Sequence, residues 1–450
     1  MSEPYVGVPE HDPLSPALET QEPVTVHAST SVPPPIIDET PVISDSELML
    51  VRQSWMEYPQ PLSFEEAPAL LDPKHPKNLN FLLVNSHGAV ENEVHAVFDK
   101  VLTPLGLNAT YTLTSAVGSV VANRKVTDEA SREWFPSHTS LCDPNLYDLI
   151  VVGDVITYGR PFLTAACKTN IILYITNRFD FGVSDDHDYA QLMATASRWP
   201  NVRVMANNLW EQRYALAKKH ADIHLYAYAP STGTLTENYR EHVKDGEATV
   251  DWNSIHQHEF VIIGRPNQMR LVQLMEEAGI TPPTVVPQRH GGPLVLARRP
   301  LIHVPYQANT MSLFENINVG VLYVLPSLQL YESWLEQGHF TLDGGQTHEE
   351  LLTYVDWYRT DLQFLFFYFD SLEDLAPSSE FRARVVREAE EKWHAMKQYM
   401  KYQTDRSVDA WRQALQSFPR LSDSTPIRRP ADIPPPMPLM AELPDPVLHV

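Results

Sequence analysis

Residues 149–175 open on Leu149-Ile-Val-Val152 and close on Ile171-Ile-Leu-Tyr-Ile175, two apolar runs with no charged residue in either. A strand with one wet face alternates apolar and polar side chains. An unbroken, largely β-branched run is what a strand buried on both faces of a parallel sheet requires. Phe81-Leu-Leu-Val84 precedes the pair, and Val202-Arg-Val-Met205 and Ile223-His-Leu-Tyr226 follow it. Between these runs the spacing turns helical: Val90, Val94, Val97, Val101 and Leu102 share one face that stops before Pro104. Strand–helix alternation of this kind predicts a doubly wound α/β sheet.

A polar stretch over residues 230–256, carrying Gly233 and Gly246, interrupts the pattern. It then restarts with Phe260-Val-Ile-Ile263, a helix through Met269 to Met275, Thr284-Val-Val286, Leu301-Ile-His-Val304, a helix around Ser312 to Val319, and Val321-Leu-Tyr-Val-Leu325. The expectation is therefore two Rossmann-like units, over residues 76–229 and 257–375, followed by helices over 376–418. The spacing of Phe381, Val385, Ala389, Trp393, Met396 and Met400 predicts a helix capped by Ser378, its apolar face packed back on the two units.

The ends of the chain read differently. The first fifty residues contain no Lys or Arg and are rich in Pro and acids, so residues 1–60 are expected to be a disordered tail. Residues 419–450, with Pro434-Pro435-Pro436, read as a second, extended tail, whose Leu439, Met440, Leu443 and Val447 would let it lie along the protein.

Of 450 residues, 43% are hydrophobic and 10% aromatic, enough for packed cores, and the length suits two domains rather than one. Only 34 Lys and Arg stand against 57 Asp and Glu, a net charge of −23. A nucleic-acid binder needs a basic face, and an anionic membrane surface attracts basic segments, so both partners are excluded by expectation. A phosphate-bearing small molecule is not, because one or two cations and a helix N-terminus suffice to hold it. Cys142 and Cys167 are the only cysteines, too few for a disulfide scaffold and too far apart for a CxxC metal or redox motif. Met1-Ser2-Glu3-Pro4 lacks the features of a secretory signal, and no run approaches the roughly 18 apolar residues of a membrane span. The expected location is the cytoplasm.

Ligands of open parallel sheets bind beyond the carboxyl ends of the strands, where loops and helix N-termini converge. In the first unit those positions hold Asn85-Ser86-His87-Gly88, Gly153-Asp154, Asn177-Arg178 and Asn207-Asn208. In the second they hold Gly264-Arg265, Arg289-His290-Gly291-Gly292, Pro305-Tyr306-Gln307 and Pro326-Ser327. Residues of these types also end strands and cap helices with no ligand in view, so the weight lies in their convergence.

The most informative segment is Pro305-Tyr-Gln-Ala-Asn-Thr-Met-Ser-Leu-Phe-Glu-Asn-Ile-Asn-Val-Gly-Val-Leu-Tyr-Val-Leu-Pro-Ser327. A strand ends at Val304, a loop carries Tyr306 to Thr310, a helix carries Glu315, and Gly320 turns the chain into the next strand. This resembles the donor-binding segment of the GT-B class of nucleotide-sugar glycosyltransferases. The resemblance implies two Rossmann-like domains facing a cleft. It places the donor diphosphate on the backbone of Thr310, Met311 and Ser312, and the ribose hydroxyls on Glu315. Physically, a helix N-terminus offers N–H groups and a positive dipole end to phosphate, and a carboxylate accepts two hydrogen bonds from a vicinal diol. The class often carries a second glutamate seven residues earlier; here that position is Ala308.

The same resemblance makes Arg265 the cation that meets the departing diphosphate, with Arg289 and Tyr306 beside it in the donor site. It makes His87 the general base, since an imidazole can take a proton from an acceptor hydroxyl. Asn177, Arg178 and Asn208 would line the acceptor side. The nucleotide-sugar is then a substrate, and neither cofactor nor metal is expected. For Glu315 the alternative is a helix-capping acid, for Arg265 a surface arginine before Pro266, and for His87 a structural histidine.

Asp186-His187-Asp188 matches the DxD by which another glycosyltransferase class holds a divalent metal, but its place just before a helical stretch predicts helix capping. No Walker loop, GxGxxG, GxSxG or HExxH is present. The expected function is transfer of a sugar from a nucleotide-sugar to a hydroxyl acceptor, independent of metal. The alternatives are a non-catalytic GT-B-like scaffold that binds a nucleotide or a protein partner, and an epimerase or hydrolase of the same fold.

Overall fold

The structure, a computed structural model, describes residues 69–72, 77–85, 87–114, 126–165, 167–235, 258–288, 290, 292–342 and 346–421. The acidic tail, nearly all of the Pro-rich tail, Ser86, Arg289 and Gly291 lie outside the described residues.

Six parallel strands form the first sheet in the order β2-β1-β3-β4-β5-β6. They are β1 (Leu79–Val84), β2 (Ala109–Thr114), β3 (Leu149–Gly153), β4 (Asn170–Ile175), β5 (Val202–Ala206) and β6 (Leu225–Tyr228). Every residue of β3 and β4 is buried, as their continuous apolar runs require. Helices α1 (Gly88–Leu102), α2 (Asp128–Trp134), α3 (Arg160–Thr164), α4 (His187–Ala196) and α5 (Trp210–Lys219) connect the strands. Helix α1 buries Val90, Val94, Val97, Val101 and Leu102, the face legible in the sequence. Its first turn lies so close to the end of β3 that a Cβ on Gly153 would come within 2.6 Å of Val90 Cγ1.

The second sheet has five parallel strands in the order β11-β10-β9-β7-β8: β7 (Val261–Ile263), β8 (Thr284–Val286), β9 (Pro300–Ile302), β10 (Leu322–Pro326) and β11 (Phe367–Phe369). In both sheets the first strand has the second on one side and the third on the other, so each sheet has one point where the winding reverses. These points lie between β1 and β3 and between β7 and β9. Helices α6 (Pro266–Glu277), α7 (Met311–Asn318), α8 (Leu328–Glu336) and α9 (His348–Tyr354) belong to this part of the chain. Gly320, at φ +79°, turns α7 into β10 as expected. The α/β architecture with two Rossmann-like sheets is the one the sequence predicts.

Two further helices close the fold, α10 (Glu380–Arg387) and the 28-residue α11 (Ala389–Gln416). Helix α11 packs on both sheets. Near its start Trp393 Nε1 donates to Gly320 O at 2.6 Å; farther along, Gln403 Nε2 donates to Ser231 O at 2.7 Å. Close to its end the Trp411 ring lies 5.6 Å from Phe98 and 5.1 Å from Tyr174, inside the first sheet's core. The C-terminal helices thus pack back as predicted.

Two expectations need correction. The cap of α10 is Ser379, which accepts from Arg382 N at 3.1 Å, not Ser378. The predicted helical run breaks at Glu388. The two cysteines, too few for a scaffold, nevertheless form one disulfide. It ties the short 3-10 turn Thr139–Cys142 to the chain after α3, with Cys167 in the core cluster that holds Trp134 and Phe162. Among the described residues no helix is long and apolar enough to cross a membrane.

Candidate active site

Strand β7 ends at Ile263, and Gly264 stays paired to the neighbouring strand through its N–H to Val286 O at 2.8 Å. Arg265 follows in extended backbone at the N-cap of α6, with Pro266 in the first helical position, where a missing N–H costs nothing. Past the end of the adjoining strand β9 the chain runs through His303, Val304 and Pro305 to Tyr306. Arg265 and Tyr306 meet at the winding reversal of the second sheet. Arg265 Nη1 donates to the Tyr306 hydroxyl, and the guanidinium carbon lies 5.5 Å from the ring centroid. Arg265 is half-buried, and among the described residues its Nε has no hydrogen-bond partner and no carboxylate forms an ion pair with it. A guanidinium held in that state is receptive to an anion.

Beneath this pair sits a buried polar and aromatic layer. His303 stacks at a tilt on Trp357, with centroids 4.5 Å apart, and meets Tyr306 and Tyr323 edge-on. Gln268 Nε2 lies 2.9 Å from both His303 Nδ1 and Val304 O. Burial, and secondarily the Arg265 charge, push the His303 imidazole down to about 3, so the ring is neutral at ordinary pH. Burial also holds the Tyr323 phenol well above its usual range, and its oxygen accepts from Asn316 Nδ2 at 2.7 Å.

Helix α7 starts from the loop after Tyr306. Its N-cap, Thr310, forms no side-chain cap; Ser312 Oγ lies 3.3 Å from Thr310 Oγ1, and Leu313 N donates to Thr310 O at 3.0 Å. The first turn therefore presents Met311 and Ser312 at a helix N-terminus whose end charge is not neutralised by its cap residue. Glu315, one turn in, is only 5% exposed. The carboxyl ends of the two sheets meet at this helix. Asn207, just past β5, donates from Nδ2 to Met311 Sδ at 3.1 Å, and Asn318 Nδ2 donates to Gly233 O at 3.0 Å.

The residues expected on the first sheet's side are all engaged locally. His87 caps α1: its Nδ1 accepts from Ala89 N at 3.2 Å, and its backbone is gripped by Asn85 on both sides. With Nδ1 accepting, the neutral ring carries its proton on Nε2, so action as a base requires release of the Ala89 amide. Arg178 lies over the Tyr214 ring at 5.5 Å and 3.7 Å from Asp180, while Asn177 Oδ1 accepts from Arg178 N. Asn208 Oδ1 accepts from Glu211 N at 3.1 Å at the start of α5. Arg289 lies outside the described residues. Asp186 does cap a helix, accepting from Tyr189 N at 2.9 Å, and pairs with Arg160 at 2.5 Å. Among the described residues no group of three or more His, Cys, Asp or Glu is placed to hold a metal ion.

No protein-family model and no curated protein matches this chain. Solved structures similar to it include UGT89C1 of Arabidopsis thaliana, at 10% identity over 75% of this chain and 100% of that one, with a TM-score of 0.37. CalG4, the calicheamicin glycosyltransferase, is similar at 12% identity over 76% of this chain and 99% of its own, with a TM-score of 0.30.

Of the expected donor-side residues, Arg265 and Tyr306 are in direct contact, and Thr310, Met311, Ser312 and Glu315 share one helix with its cap. His87 stays among residues 85–89. Sequence reasoning missed His303 and Gln268, although His303 stands inside a quoted strand; a polar residue in an otherwise apolar strand end was the available signal. It also missed Asn207 as the partner of Met311, for which the sequence carries no signal.

Proposed function

We propose that this protein transfers a glycosyl group from a nucleotide-sugar to a hydroxyl acceptor. The observation that carries the reading is the half-buried Arg265 guanidinium at the winding reversal, without a carboxylate partner among the described residues and on the same sheet edge as the poorly capped N-terminus of α7. A leaving nucleoside diphosphate needs positive charge where its own negative charge develops. Arg265 supplies a cation and α7 supplies backbone N–H groups from a fixed dipole. The bond from the anomeric carbon to the diphosphate oxygen breaks with its electron pair on the oxygen. A bond from the acceptor oxygen to the same carbon forms, and the hydroxyl proton passes to a base. His87 serves as that base only once freed from Ala89.

A second reading, a nucleotide-binding protein without transfer activity, is favoured by that cap and by the burial of Glu315. Calorimetric titration with UDP, GDP and ADP, repeated with Arg265→Ala and Glu315→Ala, tests the site. One nucleotide that binds the parent and loses roughly 10-fold or more with Arg265→Ala supports it, as expected for a charge-assisted hydrogen bond. Release of free nucleotide from the corresponding nucleotide-sugar then separates transfer from binding alone. Failure of the folded protein to bind all three overturns the donor site.

A further inference from the structure

We propose that His303 donates its Nε2–H to the same diphosphate that Arg265 meets, which makes it a second anion-binding residue of the site; this inference rests on the donor-site reading above. Three polar atoms in this corner are buried without a hydrogen-bond partner among the described residues: Arg265 Nε, His303 Nε2 and Gln268 Oε1. A buried donor left unpaired costs about 1–3 kcal/mol. Two such donors, Arg265 Nε and His303 Nε2, stand at the carboxyl ends of adjoining strands, and an acceptor arriving with a ligand would pair them.

The contacts of Gln268 settle which atom of His303 carries the proton. Val304 O, 2.9 Å from Gln268 Nε2, can only accept, so the amide NH2 faces that way. The second hydrogen of the same group is directed at His303 Nδ1, also 2.9 Å away, which accepts it. An Nδ1 that accepts leaves the neutral ring protonated on Nε2. A charged imidazolium would set two donors against each other at Gln268 and place a like charge beside Arg265. His303 is therefore an uncharged donor, only 7% exposed and braced by Trp357, Tyr306 and Tyr323. Paired with a guanidinium, an uncharged donor adds a hydrogen bond to phosphate without adding repulsion inside the site.

The test compares UDP, GDP and ADP, each against its own nucleoside, on the parent protein and on His303→Phe, His303→Gln, His303→Asn and Arg265→Ala. His303→Phe keeps the aromatic packing and removes both nitrogens. It is expected to lose roughly 10- to 100-fold in affinity for the nucleoside diphosphate, the scale of one hydrogen bond to a charged group, with nucleoside affinity unchanged. His303→Gln, whose amide nitrogen reaches the Nε2 position, is expected to retain most of the affinity. His303→Asn, whose amide stops at the Nδ1 position, is not, and this pair decides the matter should the Phe variant fail to fold. The diphosphate's own terminal proton titrates at about pH 6, so the quantity to follow between about pH 5.5 and 8.5 is the ratio of parent to His303→Phe affinity, which should show no imidazole titration. If Arg265→Ala weakens the diphosphate and His303→Phe does not, the His303 N–H is satisfied by the aromatic faces and the inference is overturned while the donor site stands. If the parent binds no diphosphate, both fall.

Discussion

A Cβ on Gly233 would stand 2.4 Å from the carbonyl oxygen of Phe314, so the segment leaving β6 touches the backbone of α7 directly. Gly233 has φ +61° and is held there by Asn318 Nδ2 on its carbonyl and by Ser231 Oγ on its N–H. The helix of the candidate donor site is therefore positioned by the chain segment that leaves the first sheet.

Gly233→Ala meets both a steric and a conformational obstacle, since an L side chain is disfavoured at positive φ and backbone atoms cannot rotate away. A drop of several degrees in melting temperature is expected, with weaker nucleotide binding if α7 shifts. Thermal unfolding by circular dichroism checks it; an unchanged melt would mean that the backbones do not approach this closely.

Glu93 anchors the same segment from α1. Its carboxylate accepts from Thr232 N at 2.6 Å, Thr232 Oγ1 at 2.8 Å and Ser231 Oγ at 3.3 Å. Burial nevertheless outweighs these donors and raises the group from 4.5 to about 7. The folded state thus holds the Glu93 proton more tightly than the unfolded chain does. Its contribution to stability is fully present below about 4.5 and is lost as pH rises towards 7. Asp356, raised by burial to about 6, acts in the same direction, so the informative quantity is a difference between proteins. Glu93→Gln should flatten the fall in melting temperature across that window relative to the parent. Parallel curves would assign the titration elsewhere.

The Cys142–Cys167 bridge closes a loop with a sequence separation of 25, for which the chain-entropy account gives about 3.5 kcal/mol. Cys142→Ser, or a reducing agent, is expected to lower the melting temperature, and the untreated protein should show no free thiol by alkylation and mass spectrometry. Two alkylated thiols in freshly purified protein would sink this. A persistent bridge also fits an oxidising compartment better than the cytoplasm expected from the sequence.

Trp411 is fully buried between Phe98 and Tyr174. Trp411→Ala should cost about 3–5 kcal/mol, as deletions of large buried aromatics do. Chemical denaturation measures the loss; a cost near zero would mean that α11 does not dock on α1.

The readable parts of this fold are those in which burial is uniform along an element. Strands β3 and β4 announce themselves because both faces are covered, and α1 because its apolar face repeats at helical spacing. Strand β2, Ala109-Thr-Tyr-Thr-Leu-Thr114, sits at a sheet edge, where exposure of Tyr111 at 42% is allowed and no apolar run is needed. Strand β11 is only Phe367–Phe369, too short for any period to show. At the site, Arg265 and Tyr306 could each be singled out by position after a strand, but their mutual contact depends on β7 lying beside β9, which is a property of the winding. The hold of Glu93 on Thr232 spans 139 residues and has no local signature.

Helix α11 carries one more consequence, for how the protein comes to be folded. The apolar cluster on one face of the first sheet, built on Leu79, Phe81, Phe98 and Tyr174, is completed by Val408, Trp411, Leu415 and Phe418. A nascent chain that has already made β1 to β6 must wait for the whole second sheet to be synthesised before that face is covered. Until then it presents a greasy surface to the cytosol or lumen, the condition that recruits chaperones and invites aggregation. Fragments ending before α11 should therefore be insoluble even though they contain all six strands of the first sheet.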